Sequence, residues 1–470
     1  MRRAKIVCTL GPAVDGVERI VELVEAGMDV ARLNMSHGSH TEHGVRLAQV
    51  RQAAERVGRP ITVFADLQGP KIRLGVFPAG PVTLQAGDRF TITVDDVPGD
   101  GTRASTTFKK LPGDVKPGET ILIDDGRVEL RAVEVTCRDI VCEVVTGGPV
   151  SDHKGINLPG VPVSVPALSD KDADDLRWAL RQGVDLVALS FVRTASDIDA
   201  VRAIMDEVGR RVPVIAKIEK PQAVDNLDAI IDAFDAFMVA RGDLGVELPF
   251  EEVPLVQKRI ITAARRWAKP VIVATQMLES MISAPRPTRA EASDVAHAVL
   301  DGSDAVMLSG ETSVGAYPID AVQAMDRIIR AVEEHGFSQI DTIDWDPHTT
   351  SGVVAWGAAE MAKKLDVRYI VAFSRSGDTA RRLARLRTKI PVLCSTPSER
   401  TRRELGLVWG LRTFISKTSE LEPMIDEMDE ILLREGLAVK GERIACVYGI
   451  PMGITGKTNT VYIHRVGQPG

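Results

Sequence analysis

The sequence predicts an α/β protein: a (β/α)8 TIM barrel with an inserted small all-β lid domain and a C-terminal α/β domain. Three observations predict it. Eight short apolar, β-branched runs alternate with helical spacing between residues 4 and 335, a middle stretch switches to period two, and a second alternating region follows a polar segment. The 470 residues, at roughly 150 per domain, suit three units. They divide as 1–69 with 166–336 (barrel), 70–165 (a β-barrel-like lid) and 337–470.

The predicted barrel strands are Ile6–Leu10, Val30–Leu33, Ile61–Ala65, Leu186–Phe191, Val212–Ile218, Phe237–Ala240, Val271–Ala274 and Ala305–Leu308. Between them, Val17–Leu23, Ile198–Met205, Val253–Ala264 and Ala321–Ile329 place apolar residues three and four apart. Near-continuous apolar strands alternating with helices signal a parallel sheet covered on both faces. Eight such units close a barrel. An open doubly wound sheet is the competitor, but no G-x-G-x-x-G follows the first strand.

Residues 70 to about 165 are rich in Gly, Pro, Val and Thr, with alternating runs at Arg89–Val94, Thr120–Ile123, Val128–Val135 and Ile140–Val145. Asp125-Gly126 between two of them is a strong hairpin signal. An insertion after the third strand emerges at the barrel face where active sites lie, so it suits a mobile lid. Beyond the polar stretch Ser338–Thr350, strands are expected at Tyr369–Phe373, Pro391–Cys394, Leu411–Ile415, Arg443–Val447 and Thr460–His464.

Composition narrows the function. Lys and Arg number 58 against 65 Asp and Glu, a net of −7, which argues against a general nucleic-acid binder. No apolar run approaches the roughly 18 residues that span a bilayer, so no membrane association is expected. The five cysteines are scattered without C-x-x-C, as reduced thiols in a cytoplasmic protein would be.

Polar residues gather at the strands' C-terminal ends. They are Arg32, Asn34, Ser36 and His37 after the second strand, Asp66 after the third, and Ser190 and Arg193 after the fourth. Lys217 and Glu219 follow at the fifth, Arg241, Gly242 and Asp243 at the sixth, Thr275 and Gln276 at the seventh, and Ser309 and Glu311 at the eighth. Strand ends are often polar, but a lysine among buried apolar positions costs several kcal/mol unless an anion or partner offsets it. Lys217 and Glu219, two apart on a strand, point to one side. With Asp243 they bring two carboxylates and an ammonium to one mouth. Two carboxylates without Cys or His suit Mg²⁺ or Mn²⁺ completed by water and substrate oxygens, and an adjacent lysine suits phosphoryl transfer. A structural Lys–Glu pair is the alternative on spacing alone.

At these residues the chain resembles the pyruvate kinase family. The matching stretches include KIVCTLGP (5–12), ARLNMSHG (31–38), ADLQGPKIR (65–73), HKGINLPG (153–160), VIAKIEKPQAVDNL (214–227), VARGDLGVELP (239–249), ATQMLESM (274–281) and PTRAEASDVAHAVLDGSDAVMLSGET (287–312). The resemblance implies phosphoryl transfer from phosphoenolpyruvate to ADP, giving pyruvate and ATP in glycolysis. It implies that Arg32 and Lys217 meet the phosphoryl group, that Glu219 and Asp243 ligate the divalent metal, and that Gly242, Asp243 and Thr275 hold the substrate carboxylate. It places Asn34, His37, Arg73 and Lys154 at the nucleotide. It also implies a homo-oligomer, typically a tetramer.

Asn34, Ser36, Asp66 and Leu67 match the family's K⁺ pocket, but Lys71 stands where potassium-requiring members carry an acid. This looks like the potassium-independent branch, with the Lys71 ammonium supplying the charge of a bound K⁺. In the C-terminal domain, Ser374-Arg375-Ser376-Gly377-Asp378-Thr379 follows a strand and opens a helix. It offers a phosphate cradle that resembles the family's allosteric loop, although any helix cap uses Ser, Asp and Thr. The acidic stretch Ser419–Leu433 lacks the tryptophan and arginine of members that bind fructose 1,6-bisphosphate. A monophosphorylated effector, AMP or a hexose monophosphate, is therefore expected over the bisphosphate.

His297 reads as a helix residue packed in place, Trp178 and Trp267 as core or shielding residues, and Arg381–Arg387 as a solvated or interface helix face. Two competing functions remain: a metal-dependent lyase on the same barrel, and a regulatory binding protein with a retained but inactive barrel. The first has no use for a lid carrying Arg73 and Lys154. The second should have lost at least one of Lys217, Glu219, Asp243, Arg32 and Thr275, and all are present.

Overall fold

The computed structural model describes residues 2–468 except 162, 344–348, 419, 453 and 455. Part of the polar stretch at 338–350 and Ser419 of the acidic stretch therefore lie outside the described residues.

Eight parallel strands close into a barrel in chain order: Lys5–Thr9, Val30–Asn34, Thr62–Asp66, Leu186–Leu189, Val214–Ile218, Ala236–Ala240, Val271–Ala274 and Ala305–Leu308. The ring shuts where Lys5 pairs with Ala305 and Cys8 with Leu308. Successive side chains point to opposite sides of a strand, and here both sides are buried. Val7, Val30, Phe64, Leu186, Ile215, Met238 and Ile272 fill the lumen. Ile6, Cys8, Val63, Val187 and Ala216 pack outward under the helices. The same alternation carried two residues beyond Val7, Val30, Phe64, Ala188 and Ile215 turns Thr9, Arg32, Asp66, Ser190 and Lys217 into the lumen's upper end.

The lid begins at Gly69, whose φ is +75° and where a Cβ would lie 2.6 Å from the Phe191 ring and 2.8 Å from Ser190 Cβ. Only glycine meets both conditions cheaply. The lid strands form a six-stranded sheet, with a separate pair between Val82–Leu84 and Gly148–Val150. Residues 72–75 run between the two end strands of this sheet and curl it round on itself. Its ends are Ile156–Asn157 and Arg103–Ser105; the Ile156 N–H donates to the Ile72 carbonyl (2.9 Å) and the Gly75 N–H to the Ser105 carbonyl (2.8 Å), with Arg73 bridging Gly155 and Leu74 bridging Thr106. Around Asp125-Gly126 the chain turns through three left-handed residues, Asp124, Asp125 and Gly126.

The C-terminal domain is a five-stranded sheet in which Thr460–Arg465 runs antiparallel at one edge. It plugs the barrel floor. Leu407 joins the lumen core, the Thr62 hydroxyl donates to the Arg403 carbonyl (2.5 Å), and the Lys5 ammonium donates to the Leu411 carbonyl (2.9 Å). Arg387 pairs with Asp304 at 3.0 Å and lies over the Trp409 ring.

Two side chains depart from their sequence reading, and a basic run settles between its two. Trp267 is 61% exposed, because it ends its helix just past the buried stripe Ile260, Ile261 and Ala264. His297 faces solvent, lining a cleft beside Asp243, because Val295, Ala298 and Val299 already form the buried face of its helix. Of the basic run, Arg385 and Arg387 are buried against the barrel, so this is an interface and not a solvated face.

Candidate active site

At the barrel mouth the Lys217 ammonium, with 11% of its side chain exposed, sits 2.9 Å from Glu219 Oε1 and 3.3 Å from Asp66 Oδ1. It also donates to the Ser190 hydroxyl (2.6 Å), which donates in turn to the Leu67 carbonyl (2.7 Å). Burial alone lowers the pKa of Lys217, but Asp66 and Glu219 outweigh it and the net shift is upward. A fixed cation results. The Arg32 guanidinium closes the other side, giving its Nε–H to Asp66 (2.6 Å) and an Nη1–H to the Thr9 hydroxyl (3.1 Å). Burial raises the Asp66 pKa, yet Lys217 and Arg32 reverse this and hold the carboxyl below its ordinary range.

Glu219 is fully buried and its Oε2 accepts the Phe191 N–H (2.7 Å). Its Oε1 has no aligned hydrogen-bond donor. Burial pushes its pKa up, Lys217 opposes this, and the nearby Asp243 carboxylate adds to the rise. A divalent cation between the two acids would relieve both effects. Among the described residues no group of three or more His, Cys, Asp or Glu gathers. The donor set is two carboxylates, which fits a hard ion with remaining positions filled by water and substrate.

Gly242 donates its N–H to the Thr275 hydroxyl (2.8 Å), which donates to the Ala274 carbonyl (2.7 Å). Thr275 and Gln276 hold φ of +69° and +56°, a conformation that a β-branched residue adopts only when its surroundings enforce it. Arg241 supplies the enforcement, donating to the Thr275 carbonyl (2.8 Å) while forked on Asp294.

The other predicted residues are spread around this mouth. Asn34 Oδ1 accepts the Ser36 N–H (3.2 Å), and His37 is exposed, its carbonyl accepting from buried His43 (2.8 Å). On the lid, Arg73 donates to the His153 carbonyl (2.9 Å) and Lys154 pairs with Asp124 (2.9 Å). The Lys71 ammonium lies 4.0 Å from Asp243 Oδ1 and pairs with no other described carboxylate within that distance. Its neighbour is thus Asp243 and not Asp66.

The loop Ser374–Thr379 lines a cleft of the C-terminal domain together with Met424, Gly449, Met452, Ile454 and Gly456–Thr458. The Thr379 and Thr458 hydroxyls are 2.6 Å apart.

Family models match the whole of this architecture: "Pyruvate kinase, barrel domain" over residues 1–322 and "Pyruvate kinase, alpha/beta domain" over 353–464. The chain belongs to the pyruvate kinase family. It is 56% identical to a pyruvate kinase of Corynebacterium glutamicum over 468 residues, covering 99% of this chain and 98% of that one. It is 54% identical to that of Mycobacterium tuberculosis, covering 99% of both. A crystal structure of a pyruvate kinase from Cryptosporidium parvum superposes with a TM-score of 0.91 at 36% identity, over 99% of this chain and 96% of the other. The family is one of phosphotransferases, and no described helix is long and apolar enough to cross a membrane.

Sequence reasoning passed over Thr9 and Phe191, and placed Ser190 and Arg241 at the strand ends without a role of their own. The signal for Thr9 and Ser190 was available, since both continue the inward-facing alternation of their strands. Nothing local marks the Phe191 amide or the Arg241–Thr275 contact.

Proposed function

We propose that this chain transfers the phosphoryl group of phosphoenolpyruvate to ADP, giving pyruvate and ATP, with residues 1–69 and 166–336 as the catalytic barrel and 70–165 as its lid. The observation that carries this reading is the Lys217 ammonium, held charged in a nearly dry mouth between Asp66 and Glu219. Phosphoryl transfer needs little covalent help from the protein. It needs fixed positive charge around the equatorial oxygens and the leaving enolate.

Lys217 and Arg32 take that role at the phosphoryl group, both braced on Asp66 so that neither reorganises as charge moves. Glu219 and Asp243 hold the divalent cation, Mg²⁺ or Mn²⁺, which when bound supplies further charge neutralisation. Gly242, Asp243 and Thr275 hold the substrate carboxylate. The Thr275 proton is committed to the Ala274 carbonyl, which favours water as the source of the proton that reaches the enolate carbon. Asn34 and His37 at the mouth, with Arg73 and Lys154 on the lid, take the nucleotide phosphates.

A coupled assay of pyruvate formation tests the reading. Lys217→Met should lower kcat by about 10²–10³, the cost of removing one preorganised charge donor, measured at a temperature where circular dichroism shows the variant folded, because unpairing buried Asp66 and Glu219 costs about 3–5 kcal/mol. Full activity in that variant would refute it.

Four finer readings belong to the same proposal. Activity does not require K⁺, because Lys71 adds a cation beside the site while Asn34, Ser36, Asp66 and Leu67 keep the pocket. A rate in potassium- and sodium-free buffer that collapses until K⁺ is restored would defeat this. The loop Ser374, Arg375, Ser376, Gly377, Asp378 and Thr379 binds AMP or a hexose monophosphate in preference to fructose 1,6-bisphosphate, which activation curves with each compound decide. The chain works as a homotetramer, checked by light scattering. It works in the cytoplasm, checked by cell fractionation.

A further inference from the structure

Six arginines converge at the end of the barrel opposite Lys217, on a cleft of about 690 Å³ between barrel and C-terminal domain. Arg51, Arg59 and Arg210 come from the barrel, beside the segments that lead into its third, fourth and fifth strands. Arg400, Arg402 and Arg403 come from the helix Glu399–Glu404. Only three acids share the wall, Glu55, Asp185 and Glu399, so the cleft is strongly cationic in a chain whose net charge is −7.

The acids are shared or turned away from the cleft: Arg400 pairs with Glu404 at 2.7 Å and Arg59 lies 4.0 Å from Asp29, neither of which lines it. Asp185 serves Arg51 at 2.9 Å and Arg403 at 3.8 Å, and it also accepts the Val63 N–H. Glu399 is divided between Arg402 at 3.2 Å and Arg403 at 3.4 Å. Arg210 donates to the Val184 carbonyl (2.9 Å) and has no carboxylate within 4.0 Å among the described residues. The Nε atoms of Arg210 and Arg402 are buried without a hydrogen-bond partner. Burial lowers the pKa of Arg210, the charges of Arg400, Arg403 and Arg51 add to this, and Asp185 opposes it only in part. Crowded guanidinium forks, one without a carboxylate and two with a buried unpartnered Nε, match the geometry of phosphate oxygens.

We propose that this cleft binds a phosphate-bearing anion of two or three negative charges, at a site separate from both the barrel mouth and the Ser374–Thr379 loop. Such an anion would bridge barrel and C-terminal domain. The helix it grips leads into Leu407 on the barrel floor, and its Thr401 hydroxyl donates to the Arg375 carbonyl (2.8 Å) of the effector loop. Occupancy therefore tightens the joint between the two domains.

Calorimetric titration of pyrophosphate into the full-length protein, metal-free and at fixed ionic strength, tests this. The titration is run in a Lys217→Met, Thr379→Val background, which weakens the two other anion sites. Saturable binding is expected there, weakened at least tenfold by Arg210→Gln and by Arg402→Gln, with a pyrophosphate-dependent rise in melting temperature that both lose. Arg402 has 25% of its side chain exposed, so its replacement leaves a folded protein to measure even if Arg210→Gln does not. Unchanged affinity in Arg402→Gln, or weak non-saturating uptake showing an adventitious ion only, would overturn the proposal.

Discussion

At the scale of single residues, the mouth depends on small groups that fix large charges. Ser190 accepts from Lys217 and donates to Leu67, so it sets where the ammonium stands. A hydrogen bond to a charged group contributes about 1.5–3 kcal/mol. Ser190→Ala should therefore lower kcat by about tenfold to a hundredfold while leaving KM for ADP within about twofold, as steady-state kinetics would show. His43 gives a second prediction. Burial pushes its imidazole pKa below 6.5, the hydrogen bond to His37 only partly opposing this, and its Nδ1 has no partner. The unfolded chain then binds a proton that the folded chain refuses. Its contribution is present above about pH 6.5 and is lost as the pH falls through the lower folded value. Denaturant titrations at pH 7.5 and 5.5 should show a larger loss in the parent than in His43→Gln, which keeps a donor for His37 but cannot titrate. Equal losses would remove His43 from the account.

At the scale of elements, the short helical segment Leu405–Leu407 matters beyond its length. It carries Leu407 into the lumen core beside Val7, Val30 and Phe64, a position that the barrel's own strands leave unfilled. Truncating a buried leucine costs about 2–5 kcal/mol. Leu407→Ala should fall in that range by thermal or denaturant unfolding, although the residue belongs to the C-terminal domain. A change below about 1 kcal/mol would mean that the floor collapses to fill the space.

At the scale of the whole molecule, the lid sits at one end of the barrel and the C-terminal domain at the other. Arg387 is the buried rivet of the lower joint: it pairs with Asp304, donates to the Gly302 carbonyl (2.7 Å) and lies over Trp409. Breaking one partner of a buried pair costs about 3–5 kcal/mol. Arg387→Met should split a single calorimetric unfolding transition into two, the C-terminal domain melting first. A single transition at the parent temperature would show that the joint does not depend on this pair.

The sequence by itself determined the eight barrel strands and the polar residues that end them, because a strand buried on both faces writes an unbroken apolar run and its end is marked where that run stops. It also placed Lys217 and Glu219 on one side of one strand, since a period of two is local. Only the tertiary structure decided that Asp66 braces Lys217 and Arg32 together, that Arg241 holds Thr275 in its left-handed turn, and that residues 72–75 tie the two end strands of the lid sheet together. It alone placed the C-terminal domain beneath the barrel floor, with Leu407 inside it. Those facts are contacts between segments tens to hundreds of residues apart, and they come into being only when the ring closes and gives each strand its neighbours.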